Sequence, residues 1–270
     1  MIPKRIKYAF KVLMNPVFYE RALLNQIEID KLRSKFLQVY KDHLTFAGDS
    51  LYTKHSADFI NDAKFIESYE LGKKTCEGTV NFECDLRWRV HLVCWAATHA
   101  AKLEGDFVEC GVFTGVFPRS IINYTDFNSL NKTYYLLDTF EGLSEKYSTE
   151  KEMEGSNVSY SGHANLFEEV TDTFKSFNTK IIKGTVPETL VEVDSQKIAY
   201  LSIDMNCVEP EVAALNYFWD KMVSGGIIVL DDFGYMNVSK EQQKAHLAFA
   251  KSKGVEIIYF PTCQGLIIKP

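Results

Sequence analysis

Residues 105–115 read Gly-Asp-Phe-Val-Glu-Cys-Gly-Val-Phe-Thr-Gly, a short apolar run that ends in an acid and two spaced glycines. Phe107 and Val108 suit a buried strand, and Glu109 falls where that strand should emerge. Gly111 and Gly115 let backbone approach a ligand before the next helix begins. The stretch reads as a strand running into a nucleotide-binding turn, and strand and helix units repeat downstream of it.

Further strands are expected at 133–138, 180–184, 197–204 and 226–232, each apolar nearly throughout. Such runs imply burial on both faces, hence a mainly parallel sheet covered by helices. Helices fit at 115–124, 163–176, 209–222 and 240–253. Residues 255–260 and 265–269 are joined by Pro-Thr-Cys-Gln, too short a link for a parallel crossover, so they form an antiparallel hairpin. The expected fold class is α/β: a Rossmann-like, seven-stranded, mainly parallel sheet with a final antiparallel hairpin strand. Upstream, a helix over 82–103 carries Leu86, Val90, Val93, Ala97 and Ala101 on one stripe and ends near Gly105. Leu23, Leu24, Ile27, Leu32, Phe36 and Tyr40 recur at helical spacing, so residues 1–75 form a helical N-terminal extension and 76–270 the main domain. The extension caps one edge of the main domain, covers substrate, or forms a homo-oligomer contact.

The chain has 270 residues, 46% of them hydrophobic, enough for a substantial core. A net charge of −6 argues against a nucleic-acid partner, whose footprint is a basic face. The cysteines at 76, 84, 94, 110, 207 and 263 contain no C-x-x-C pair, and several lie in apolar runs, which fits reduced thiols in a cytoplasmic setting. Lys7, Lys11 and Pro16 interrupt the opening residues, so no signal-peptide core is expected, and no segment is long enough for a membrane span.

Ligands of an open α/β sheet bind outside the carboxyl ends of its strands. Those ends are acidic here: Glu109, Asp138, Asp204 and the pair Asp231-Asp232. Singly, each fits a helix or turn cap equally well; jointly, they point to a site. Asp138 is placed to accept both hydroxyls of a ribose. The 111–115 turn lacks the middle glycine that lets backbone approach a pyrophosphate, which disfavours a dinucleotide and a nicotinamide-linked dehydrogenase. Glu109 favours a ligand bearing an ammonium and a sulfonium, a description that S-adenosylmethionine meets. Three carboxylates without histidine or cysteine suit a hard ion such as Mg2+ or Ca2+. Adjacent Asp231 and Asp232 can both be ligands only if the strand ends there.

Residues 105–112, 137–143 (Leu-Asp-Thr-Phe-Glu-Gly-Leu) and 224–234 (Ser-Gly-Gly-Ile-Ile-Val-Leu-Asp-Asp-Phe-Gly) resemble the macrocin O-methyltransferase family, over about residues 75–260. These are class I methyltransferases that use S-adenosylmethionine and magnesium on sugar hydroxyls. The resemblance implies that Glu109, Cys110, Gly111, Val112, Phe113 and Gly115, with Asp138, Thr139, Phe140 and Gly142, hold the cofactor; Gly184, at the third strand end, is counted with them. It implies that Asp204, Asp231 and Asp232 hold the metal. The family tends to read Asp-Gly-Asp, an aliphatic residue, then Tyr-Glu-Ser where this chain has Asp204-Met-Asn206-Cys-Val-Glu209-Pro.

Methyl transfer to a hydroxyl needs that hydroxyl activated, a task for a bound divalent ion with Asp204 or His163 as the base. The expected function is metal-dependent O-methyl transfer to a small hydroxylated acceptor, possibly a sugar. The alternative, motivated by the altered 205–210 stretch, is a non-catalytic S-adenosylmethionine-binding or assembly module. Polar residues 144–162, directly after a strand end, form a long loop, either a lid over the acceptor or a solvated connection.

Overall fold

The computed structural model describes residues 31, 35, 44–77, 85–153, 164–234 and 240–270. The chain divides into two compact units, Met1–Ala47 with Tyr52–Ser56, and Gly48–Leu51 with Ala57–Pro270. In the first, Thr45 N donates to Thr53 O at 3.0 Å. The helical spacing expected for Leu23, Leu24, Ile27, Leu32, Phe36 and Tyr40 lies outside the described residues. Two short strands, β1 (Phe46–Gly48) and β2 (Leu51–Thr53), flank Asp49 and Ser50, which sit at φ 45° and 60°.

The second unit alternates as the patterning requires. Helices α1 (Ala63–Lys74) and α2 (Arg87–Ala100) precede β3 (Asp106–Cys110), α3 (Val116–Thr125), β4 (Tyr134–Asp138), α4 (Leu166–Phe174) and β5 (Thr179–Lys183). Then come β6 (Ile198–Ile203), α5 (Val208–Trp219), β7 (Met222–Leu230), α6 (Lys240–Lys253), β8 (Ile258–Tyr259) and β9 (Gly265–Ile268). The sheet order is β5-β4-β3-β6-β7-β9-β8. The pairs β5-β4, β4-β3, β3-β6 and β6-β7 are parallel, and β9 runs antiparallel to both β7 and β8. This is the seven-stranded α/β sheet with a closing antiparallel strand that the sequence pattern implies.

Period-two alternation sends the strand side chains into two cores. Phe107, Tyr134, Leu136, Tyr200, Ile227 and Val229 pack against α1 to α4, through residues such as Phe65, Val90, Val93, Ile121 and Phe174. Val108, Leu137, Leu201, Ile203, Ile228 and Leu230 pack against Leu215 and Phe218 of α5 and Phe249 of α6. Both faces of the central strands are dry, which is why they read as continuous apolar runs.

Element bounds differ from the pattern in two informative places. The fifth parallel strand begins at Met222 rather than 226, because the register shifts between Ile198 and Tyr200 and lets Met222 pair with Ile198 ahead of the Ser-Gly-Gly stretch. That strand takes the end of the preceding helix, which stops at Trp219. The helix before β3 spans 87–100 rather than 82–103; residues 82–84 lie outside the described set. No described helix is long and apolar enough to cross a membrane. Cys76, Cys94, Cys110 and Cys207 are buried.

Gly111 marks where β3 and β6 end against each other. Its φ is +91°, and a Cβ there would lie 1.8 Å from the carbonyl oxygen of Asp204. Gly254 has a similar backbone, φ +69°, with nothing within 4 Å of a Cβ. Gly254→Ala therefore tests backbone strain alone, about 1 kcal/mol, whereas Gly111→Ala adds a backbone collision and should cost about 3 kcal/mol or more. Urea midpoints at unchanged m-value measure both; equal losses would show that the 1.8 Å contact relaxes.

Glu109 shares the β3 face with Phe107, so it is buried rather than emergent, 1% exposed. The Tyr134 hydroxyl donates to its Oε2 at 2.5 Å. Burial pushes its carboxyl up to about 8, the Tyr134 hydrogen bond opposes the rise, and Asp231 and Asp138 add to it. Between its ordinary value and about 8, the folded chain keeps a proton that the unfolded chain has released. This group's contribution to stability therefore falls as pH rises through that window. Wild type should lose roughly 1 kcal/mol per pH unit relative to Glu109→Gln between pH 5 and 8. Parallel pH profiles from urea unfolding would remove the buried-proton assignment.

Candidate functional site

The carboxyl end of β3 is held by its two neighbours. Gly111 N donates to Leu137 O, and Asp204 N donates to Cys110 O, both at 2.8 Å. The turn that follows is fixed from β4: Asp138 Oδ2 accepts from Val112 N at 2.6 Å and Phe113 N at 2.8 Å, and its Oδ1 accepts from Phe140 N at 2.6 Å. A carboxylate offers about four lone-pair sites, so three are already committed to backbone. The principal contacts of Asp138 are with this turn. Thr139 closes the next turn, donating from Oγ1 to Gly142 O at 2.6 Å.

Above these turns lies a partly open cleft. Gly111, Phe113, Asp138, Thr139, Phe140, Gly142 and Gly184 line it, all expected on the cofactor side, and Asp204 lines its other end. Phe140, Leu166 and Val186 give it apolar faces, and Ser144, Thr185 and Asn206 give it polar edges. That mixture of apolar faces and polar edges suits a small organic ligand. Glu109, Cys110, Val112 and Gly115 are not among the lining residues. Glu109 and Cys110 are buried in opposite faces of the sheet, and Val112 contributes its N–H to Asp138. At Gly115 a Cβ would meet the Phe174 ring at 2.6 Å, so this glycine admits a side chain of the protein itself.

Beyond Asp204 is an acidic cluster. β7 stops at Leu230, which places Asp231 and Asp232 in the following turn and meets the condition for both to face one point. Asp204, Asp231 and Asp232 each present an oxygen within 4.8 Å of the others. Burial first, then Asp231 and Asp232, holds the Asp204 carboxyl well above the usual range. Burial and Asp231 push Asp232 up to about 6, against the pull of Arg89. The oxygen-only donor set fits a hard divalent cation.

Three residues of this cluster escaped the sequence reading. Arg89, from the first turn of α2, donates from Nη1 to Asp231 Oδ2 at 2.5 Å and to Asp232 Oδ1 at 3.0 Å, and from Nε to Asp49 Oδ2 at 2.6 Å. Burial works against its charge, and the carboxylates of Asp231, Asp232 and Asp49 outweigh that cost. Gln264, in the β8–β9 turn, donates from Nε2 to Asp231 Oδ1 at 2.8 Å and accepts from Thr262 Oγ1. A signal for Arg89 did exist: it lies three residues after Leu86 and four before Val93, on the buried stripe of an amphipathic helix. Asp49 and Gln264 sit in turns and carried no such signal.

The altered stretch after Asp204 is tied down from α5. Asn206 adopts φ 57° and its Nδ2 donates to Asp204 Oδ1 at 3.4 Å. Fully buried Glu211 accepts from Met205 N at 3.0 Å and from Gln242 Nε2 at 2.7 Å, with His246 Nε2 at 2.8 Å. Cys207 does not cap α5 with its side chain; instead Glu152 Oε1 accepts from Val208 N at 2.9 Å. Glu152 belongs to the polar loop after β4, whose Lys146 and Tyr147 also reach Glu188. His163 lies outside the described residues, as do positions 154–162 of that loop.

Solved structures share this architecture. The O-methyltransferase NovP superposes with a TM-score of 0.56 at 19% identity, covering 67% of this chain and 79% of its own. The calicheamicin methyltransferase CalS11 gives 0.57 at 13%, covering 77% and 93%. A putative caffeoyl-CoA O-methyltransferase from Staphylococcus aureus gives 0.52 at 11%, covering 79% and 95%. No curated protein matches the sequence. The sequence itself matches the macrocin-O-methyltransferase (TylF) family over residues 21–256, so the chain belongs to that family of enzymes.

Proposed function

We propose that the chain transfers a methyl group from S-adenosylmethionine to a hydroxyl of a small molecule, with a sugar hydroxyl as the acceptor class. The observation that carries this reading is the single cleft that joins the 111–113 and 138–142 turns to Asp204. One end offers apolar walls and backbone suited to a nucleoside; the other offers carboxylates. The Asp204 carbonyl fills the side of Gly111 where a Cβ would stand.

S-adenosylmethionine, when bound, would supply the methyl group, its sulfur keeping the electron pair of the carbon–sulfur bond, while the acceptor hydroxyl would give its proton to a base. Asp204 is the carboxylate on the cleft wall, a position that suits it to that task. His163 is retained as the second candidate for the base. Asp204, Asp231 and Asp232 would hold a magnesium ion, which when bound lowers the pKa of a hydroxyl and orients it. Phe140 and Leu166 exclude water from the transfer path.

Calorimetry should detect S-adenosylmethionine or S-adenosylhomocysteine and no NAD. Saturable NAD binding without a response to S-adenosylhomocysteine would overturn the cofactor assignment. Asp138→Asn should weaken cofactor binding by about 1.5–3 kcal/mol, the worth of hydrogen bonds to a charged acceptor, by releasing the Val112 and Phe113 amides. Asp204→Asn, or chelation, should abolish methyl transfer to a sugar acceptor while the cofactor still binds, with Mg2+ rescuing only the chelated wild type. Cofactor binding without turnover on any hydroxylated acceptor would leave the non-catalytic module as the function.

A further inference from the structure

Arg89 occupies an unfavourable position for a cation. It lies in the first turn of α2, where the helix macrodipole disfavours positive charge, that turn carries no acidic residue, and the side chain is only 8% exposed. What offsets this is a forked set of contacts. One edge of the guanidinium, Nε and Nη2, faces Asp49 at 2.6 and 3.5 Å, while Nη1 reaches one oxygen of Asp231 and one of Asp232. Both oxygens of Asp231 are engaged in this arrangement, since Gln264 donates to the other one.

We propose that Arg89 is a tethered cation that keeps the acidic cluster assembled in the ion-free protein and is displaced from Asp231 and Asp232 when a divalent cation binds, remaining paired to Asp49. This rests on the metal reading given above. The argument is geometric. Nη1 stands 2.5 Å from one oxygen of Asp231 and 3.0 Å from one of Asp232, two of the three carboxylates in the candidate ligand set. An ion at ordinary ligand distance from the same oxygens lies within about 5 Å of Nη1, so two positive centres compete for one pair of lone pairs. The fork resolves the contest without leaving a buried charge unpaired, because the Asp49 edge of the guanidinium is independent of the Nη1 edge. Asp49 sits at φ 45° in the turn between β1 and β2, and its carboxylate reaches Arg89 across 40 residues of sequence. Arg89 is thus a positioning residue: it sets how tightly the cluster takes an ion and prevents the carboxylates from repelling one another before the ion arrives.

The test is calorimetric titration of Mg2+ alone into the intact chain, with wild type, Arg89→Gln, Asp49→Asn and Arg87→Gln compared. Arg87 lies two residues earlier, is half-exposed, and pairs with Asp85, so its variant controls for charge at a distance. Arg89→Gln should bind Mg2+ about tenfold tighter, Asp49→Asn more weakly than wild type, and Arg87→Gln within about twofold of wild type. If Arg89→Gln does not fold without ion, its thermal midpoint with added Mg2+ replaces the titration, and the expected result is a larger ion-induced rise than in wild type. Binding by Arg89→Gln alone also supports the proposal, as the extreme case of the contest. Equal or weaker Mg2+ binding by folded Arg89→Gln, with wild type still binding, overturns the tethered-cation role and leaves the metal reading intact. No binding by either protein removes the metal reading, and the role of Arg89 with it.

Discussion

The ends of β3 and β6 meet at Gly111 and Asp204 with no space for a side chain between them, and the arrangement of the cleft depends on that contact. Because the Asp204 carbonyl fills the open side of Gly111, the first turn bends away from β6 and its amides swing toward β4. Asp138 then accepts two of those amides with one oxygen and the Phe140 amide with the other. Three parallel strands are locked together at their carboxyl ends by backbone and one carboxylate. The cleft wall is therefore preformed on rigid elements, the arrangement a transferase needs to hold two reactants in line.

The same convergence concentrates negative charge where water is scarce. Glu109 answers by holding its proton, under burial and a Tyr134 hydrogen bond. Asp231 answers by pairing with Arg89 and Gln264. Asp204 faces the cleft, and its proton affinity rises through burial and through Asp231 and Asp232. Four acids at four strand ends thus have distinct physical states, set by what each one faces. Asp138 is a structural acceptor, Glu109 a neutral core group, Asp231 an ion-pair partner, and Asp204 the carboxylate on the cleft wall.

Sequence patterning located the sheet because its signals are local. Continuous apolar runs marked strands buried on both faces, and a four-residue link before Gly265 required an antiparallel return. The strand-end acids were legible for the same reason, since each closes an apolar run. The direction in which each carboxylate points was not, because one residue of pleat decides it: Glu109 follows Phe107 into the core, while Asp138 turns to the 112–113 amides. Arg89, Asp49 and Gln264 were missed because their meeting joins α2, a hairpin turn and the β8–β9 turn, separations of 40 to 143 residues for Arg89 and 33 for Gln264. Single-sequence periodicity carries no record of such pairings beyond a charge misplaced on a buried stripe.

The stretch after Asp204, where this chain departs from the family pattern, has its own internal logic. Asn206 takes the left-handed conformation that asparagine tolerates better than most residues, so the sharp turn survives the loss of an aspartate there. The backbone amide of Met205 is caught by Glu211, which is itself fixed by Gln242 of α6 and faces His246 on the same helix. The amide of Val208 is caught by Glu152 from the polar loop after β4. The loop bearing Asp204 is therefore coupled to α6 on one side and to the polar loop on the other. A change that moves the polar loop removes the cap from α5 and leaves an orphan amide one turn from Asp204. The Asp204 turn, the start of α5 and the polar loop are thereby joined in one hydrogen-bonded unit.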